Sequence, residues 1–352
     1  MQSQTEIQNQ PPQGPPPPPR DARSRWRPLI AVLALALLYL VATRVPIPIF
    51  YAMEPGPARD VEDLVEVSGE RTYSSDGSLF LTTVRVDTQV TAADWIRAAI
   101  DPAKRIVSPE EVTGGRPFEQ QEKLQLQAME ASKEQARLVA LSALDYPPPE
   151  ADGAEIVSVD EQAPAGSALR EDDVIVEVNG EPVETTCDAS EAIGEVEPGD
   201  QVELAVLRDG ERENFTLNTA PNPGNPSEPY VGVYMTNKGF EYEPGVEVEF
   251  DTENIGGPSA GLMFTLALYD QLTPDDLTGG REIAGTGTIE CAGEVGAIGG
   301  IEQKVSGAEA EGAEVFLAPS GNFDQALAVA DDIRVVEVTN FSDALDYLEG
   351  RD

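Results

Sequence analysis

The chain runs to 352 residues, enough for two or three domains with cores of their own, and its 31 glycines and 29 prolines favour short elements joined by turns. With 64 acidic against 23 basic residues the formal charge is -41, which repels a phosphate backbone and argues against nucleic acid as a partner. Histidine is absent, and with it go the usual general base, the commonest zinc ligand and any Ser-His-Asp triad.

Residues 1–27 are rich in proline, with five in a row before Arg20, and read as a disordered tail. Arg20, Arg23, Arg25 and Arg27 then precede an apolar run from Leu29 to Thr43 that resumes after Arg44 with Val45-Pro46-Ile47-Pro48-Ile49-Phe50-Tyr51. About 20 apolar residues span a hydrocarbon core, so 28–51 is expected to be a transmembrane anchor with Arg44 near the outer interface. The basic flank places the N-terminus in the cytoplasm and everything after it outside, a single-pass cell-membrane topology. No small-x-small site follows cleanly, so the segment reads as an uncleaved anchor rather than a signal peptide.

Residues 52–147 read as a small α+β region of their own. Two strand-like runs around 71–73 and 79–86 flank Asp76-Gly77, a hairpin signal; Thr91 is placed to cap a helix to Ile100; a longer helix is expected over 119–144, stopped by Pro147-Pro148-Pro149. From Gly153 short strands at 155–159, 173–178 and 201–207 alternate with the turns Asn179-Gly180 and Asp209-Gly210, with a helix over 188–195. The run Leu169-Arg170-Glu171-Asp172-Asp173-Val174-Ile175-Val176-Glu177-Val178-Asn179-Gly180, with Pro198-Gly199-Asp200 downstream, resembles a bacterial PDZ domain over 148–221. The resemblance implies peptide capture by strand addition, with a purely structural spacer as the alternative. Asp172 stands where that family usually has Gly, and no Gly-Leu-Gly-Phe-like loop precedes Ile156.

After a Pro/Asn/Gly/Ser linker, 222–352 alternates strands and helices, with helices over 259–271, 301–310, 323–330 and 342–348 and strands between them. Within it, Gly256-Gly257-Pro258-Ser259-Ala260-Gly261 is a glycine-rich turn that delivers a serine to the start of an apolar helix. Such a start offers unpaired N–H groups to a developing oxyanion, although Pro and Ser at a helix start also serve as ordinary caps. Beyond Glu150 the only lysines are Lys238 and Lys304. Lys304 on an acidic helix reads either as a solvated ion-pair member or, if buried, as a general base toward a serine hydroxyl.

The two features join in a resemblance to the proteolytic domain of the Lon family. Gly257-Pro258-Ser259-Ala260-Gly261 is similar to its nucleophile motif, and Thr286-Gly287 followed by Gly293-Glu294-Val295 and Ile298-Gly299-Gly300-Ile301-Glu302-Gln303-Lys304 to the segment carrying its dyad lysine, 45 residues on. The resemblance implies Ser259 as nucleophile, Lys304 as base, Gly257 and Pro258 as supporting residues, Thr286 as a supporting residue near the lysine, and a homo-oligomer, a hexamer in that family. Unlike Lon itself, the sequence contains no Gly-x-x-x-x-Gly-Lys-Ser/Thr phosphate loop, and Gly256 replaces an acidic residue common before Gly-Pro-Ser. With anchor, PDZ-like domain and protease in one chain, it resembles the bacterial membrane-anchored PDZ/Lon-domain serine proteases: an α+β multidomain fold with one N-terminal transmembrane helix, a PDZ-like domain and a C-terminal Lon-type α/β domain. The implied activity is ATP-independent cleavage of peptides or unfolded, membrane-proximal proteins outside the cytoplasm. No cofactor and no metal are expected, the pairs Asp275-Asp276 and Asp331-Asp332 lacking the spacing of a ligand loop. Cys187 and Cys291 are too few for a disulfide framework and are expected unpaired, a single bridge being the alternative.

Overall fold

The computed structural model describes residues 22–147, 151–222, 226–239, 245–252 and 255–350. Most of the expected proline-rich tail, 1–21, and part of the Pro147-Pro148-Pro149 stop lie outside the described residues. A helix spans Ala22–Arg44; its stretch Trp26–Arg44 is long and apolar enough to cross a membrane and is exposed along most of its length, meeting the folded part at the helix Ala92–Ala98. The helix ends at Arg44, within the stretch 28–51, because Pro46 and Pro48 have no N–H to continue it. Tyr51 opens a strand, Tyr51–Pro55, flanked antiparallel by Val84–Asp87 and Arg105–Val107.

The main core is a five-stranded sheet. Ser78–Leu81, Glu282–Gly285, Val315–Pro319 and Arg334–Val338 run parallel, with the short strand Arg59–Asp60 antiparallel at one edge. Helices cover both faces, which is why Val315–Pro319 is apolar and buried at every position. Leu79, Leu81, Ile283, Val315 and Leu317 pack beneath the helix Gly261–Leu272, while Ala284, Phe316 and Ala318 point the opposite way, toward the helices Ile301–Glu311 and Phe323–Val329. Gly261–Leu272 is mostly apolar, buried at all but two positions, and accordingly central. Full burial of side chains such as Phe264, Leu266 and Leu268 contributes about 2 kcal/mol each. Over it lies the long helix Phe118–Ala143, whose Met129, Ala136, Val139 and Ala140 recur at helical spacing and join the same core.

The stretch 52–147 is therefore not a region of its own. Ser78–Leu81 pairs with Glu282–Gly285, Val65–Ser68 pairs antiparallel with Glu247–Phe250, and the long helix packs on Gly261–Leu272. Side chains of both halves share one core. The expected hairpin across Asp76-Gly77 does not form. The Asp76 and Gly77 N–H groups instead donate to Asp276 and Thr278, which steers Ser78–Leu81 into parallel pairing with the strand that follows that loop.

In chain order, a smaller antiparallel sheet is inserted between the two stretches that build this core, with strands in the order Glu211–Asn218, Gln201–Arg208, Val174–Val178, Ala154–Val159, Val233–Asn237. Its outer strand, Val233–Asn237, comes after 221 in the chain and pairs antiparallel with Ala154–Val159. Its turns follow their sequence: Asn179-Gly180 and Asp209-Gly210 both take positive φ, the type I′ requirement. Asp172 also has φ 70°, the left-handed conformation that explains why Gly is usual there. Thr185 and Asp188 form a capping box for the helix Thr186–Gly194.

Candidate active site

Pro258–Ala260 forms a single 3-10 turn that leads directly into Gly261–Leu272. Gly257 enters it with φ 93°, and its N–H donates to the Gln125 carbonyl at 2.7 Å, while a Cβ there would stand 3.0 Å from Gln125 Oε1. The positive φ calls for glycine. The turn is pinned from three sides: Ser132 Oγ donates to the Pro258 carbonyl at 2.9 Å, and Thr286 Oγ1 and the Gly287 N–H each donate to the Ser259 carbonyl at 2.9 Å. These bonds fix the serine backbone and leave its half-buried side chain turned to the second residue of interest.

That residue is Lys304, on the first turn of Ile301–Glu311, a helix capped by Gly300 in the left-handed conformation. Lys304 Nζ donates to Ser259 Oγ at 3.1 Å and to the Thr82 carbonyl at 2.6 Å. Only 4% of the residue is exposed, and loss of hydration pushes its ammonium pKa down to about 7. Among the described residues no carboxylate pairs with it. The solvated ion-pair reading of Lys304 is thereby excluded.

Thr286 is buried beside the site, yet its hydroxyl serves the Ser259 carbonyl and not Lys304. Three participants escaped the sequence reading. Thr82, at the end of Ser78–Leu81, receives the lysine through a main-chain carbonyl, which leaves no side-chain signature; Gln125 and Ser132 on the long helix hold the serine turn, again partly through backbone. Ser259 and Lys304 open into a groove of about 820 Å³ lined by residues 81–86, by Gln121, Gln125 and Met129, and by Gly299 and Gly300. The geometry supplies a hydroxyl, a buried amine and an open cleft beside them.

A second finding corrects the cysteine expectation. Cys187, on the helix Thr186–Gly194, and Cys291, in the turn joining Thr288–Ile289 to Val295–Gly296, form a disulfide across a Cα–Cα distance of 5.4 Å. Folding brings together residues 104 positions apart in the smaller and larger units, a proximity that spacing alone does not show. The turn they clamp follows Gly287, whose N–H holds the Ser259 carbonyl. The smaller sheet carries a glycine turn at its edge. Tyr230-Val231-Gly232-Val233, with Gly232 at φ 85°, opens its edge strand Val233–Asn237, beside the helix Thr186–Gly194.

Comparison with known proteins agrees with this architecture. A family model for the PDZ domain matches residues 117–219, and one for the Lon protease (S16) C-terminal proteolytic domain matches residues 252–348. A probable periplasmic serine endoprotease DegP-like of Halomonas elongata is 40% identical over 72 residues, 20% of this chain and 15% of that protein. A Lon protease of Fusobacterium nucleatum is 33% identical over 90 residues, 26% of this chain and 12% of that protein. Each match thus spans a small part of the relative's own length. Among solved structures, the PDZ domain of an SdrC-like protein from Listeria innocua aligns at 22% identity over 24% of this chain and 93% of that one, with a TM-score of 0.22. The chain therefore carries a PDZ domain and a Lon C-terminal proteolytic domain, the domain content of a PDZ/Lon-domain serine protease.

Proposed function

We propose that the chain is a membrane-anchored serine endopeptidase that works without ATP, with Ser259 as nucleophile and Lys304 as general base. The observation that carries the reading is the buried Lys304 amine 3.1 Å from Ser259 Oγ. With its pKa near neutrality, Lys304 is substantially unprotonated at pH 7 and has a lone pair for the hydroxyl proton. As Ser259 Oγ attacks the scissile carbonyl, Lys304 takes that proton; N–H groups at the helix start stabilise the oxyanion. The lysine then gives the proton to the departing amine, and the acyl-enzyme is hydrolysed with Lys304 again as base. Thr82 orients the amine through its carbonyl, and Thr286 fixes the serine through its backbone.

Thr286→Val is expected to lower the cleavage rate about tenfold with KM little changed, since one of two donors to the Ser259 carbonyl is lost. A change confined to KM would remove Thr286 from this positioning role. Full chain in detergent micelles, given an unstructured polypeptide such as casein, is expected to cut it without nucleotide. Stimulation by added ATP would overturn ATP independence, which rests on the missing phosphate-loop motif.

The helix Ala22–Arg44 serves as a single-pass anchor with its arginine-rich start in the cytoplasm and the folded part outside. The Cys187–Cys291 disulfide supports an oxidising compartment, and the Halomonas elongata relative is named periplasmic. The edge strand Val233–Asn237 and the helix Thr186–Gly194 are the elements between which an extended substrate or partner peptide would be held.

A further inference from the structure

Outside the helix Ala22–Arg44, the exposed large apolar side chains of the described residues are Val45, Ile49, Trp95, Ile96, Ile100, Leu207 and Leu327. The first five belong to one place, the junction between that helix and the folded part. There the Ile47 N–H donates to the Val90 carbonyl at 2.6 Å, Pro46 bridges Thr91, and the Phe50 ring meets Trp95 edge-on at 5.0 Å. Single exposed apolar residues are ordinary on a protein surface, but a contiguous patch marks a binding face.

The helix Ala92–Ala98 presents this patch in an ordered way. Trp95 and Ile96 share a face with Ala92, Ala99 and Ile100 at helical spacing, with Ile96 66% and Ile100 80% exposed. Asp94 and Arg97 pair with each other at 2.8 Å, and Asp94 also accepts from the Thr91 N–H that caps the helix.

We propose that Ala92–Ala98 is an interfacial helix that lays Trp95, Ile96 and Ile100 into the headgroup–acyl boundary of the bilayer crossed by Ala22–Arg44. The inference rests on the reading of that longer helix as a membrane span. Continuity favours a bilayer over a second copy of the chain, because the patch begins with Val45, directly after Arg44, where the span leaves the hydrocarbon. Tryptophan at the edge of such a patch suits the headgroup level. The chain is strongly acidic, so contact runs through apolar insertion rather than lipid charge, and a zwitterionic surface suffices. The patch helix packs on Arg105–Val107, in the same small sheet as Val84–Asp87, part of which lines the groove. Docking therefore holds the Ser259 groove at a fixed height over the membrane and favours membrane-proximal substrates.

The test uses full-length Trp26→Phe chain, with Trp95 as its sole tryptophan, reconstituted in phosphatidylcholine vesicles whose acyl chains are brominated near the glycerol. Flotation with the vesicles reports the span, and Trp95 fluorescence reports the patch. Trp95 emission is expected to fall by about half relative to unbrominated vesicles, and much less when Ile96→Glu and Ile100→Glu are added, with flotation unchanged. A floating chain whose Trp95 is not quenched would overturn the docking while leaving the anchor intact. Failure to float would overturn both. Concentration-dependent self-association in detergent, abolished by the same two substitutions, would overturn the bilayer in favour of a second copy.

Discussion

Lys304→Met is expected to leave the chain folded and to lower peptide cleavage by at least about 10³-fold, as is Ser259→Ala. The two losses should not add in the double variant, because neither residue acts without the other. The stability effect has the opposite sign for the lysine. Its folded pKa lies near 7 against an ordinary 10.5, so above pH 7 the folded state binds fewer protons than the unfolded one. The cost of burying the ammonium, about 5 kcal/mol, is fully present below pH 7 and fades as pH rises toward 10. Methionine fills similar space without charge. The variant should therefore melt at or above the wild-type temperature at pH 7, the gap narrowing between pH 7 and 10. A gap that widens over that range would contradict the burial.

Cys187→Ser is expected to cost about 4 kcal/mol of stability, because the bridge closes a loop across a sequence separation of 104 residues. For a chain of this size that is a fall in Tm on the order of 10 °C, and reductant should reproduce it in the wild type but not in the variant. The bridge ties the helix Thr186–Gly194 to the turn after Thr288–Ile289, so it also limits how far the smaller unit can swing from the Ser259 turn. Protease nicking near the junctions of the two units should accelerate after reduction. Unchanged Tm and unchanged nicking would mean that packing between the units holds them without the bridge.

What the sequence revealed was local, and what it hid was long-range. The helix over 119–144, the Asn179-Gly180 and Asp209-Gly210 turns and the Gly-Pro-Ser turn each declare themselves through a few neighbouring residues, and the structure has them within a residue or two. The hairpin at Asp76-Gly77 failed because Asp276 and Thr278, about 200 residues away, capture its N–H groups. The same distance concealed Thr82, whose carbonyl lies 222 positions from the lysine it receives. The reading of 52–147 as a separate region failed likewise, since Val65–Ser68 and Ser78–Leu81 pair with strands that come after 246. Chain order also hid the edge of the smaller sheet: Val233–Asn237 is the last of its strands in the chain yet pairs with Ala154–Val159.

The most direct test of the Ser259–Lys304 pairing is covalent labelling of the full chain by a serine-reactive acylating probe, read by peptide mass spectrometry across pH 5 to 9. Labelling should fall on Ser259, rise about tenfold per unit below a midpoint near 7, and vanish in Lys304→Met. Labelling of Ser259 at the same rate in Lys304→Met, with no dependence on pH, would contradict it.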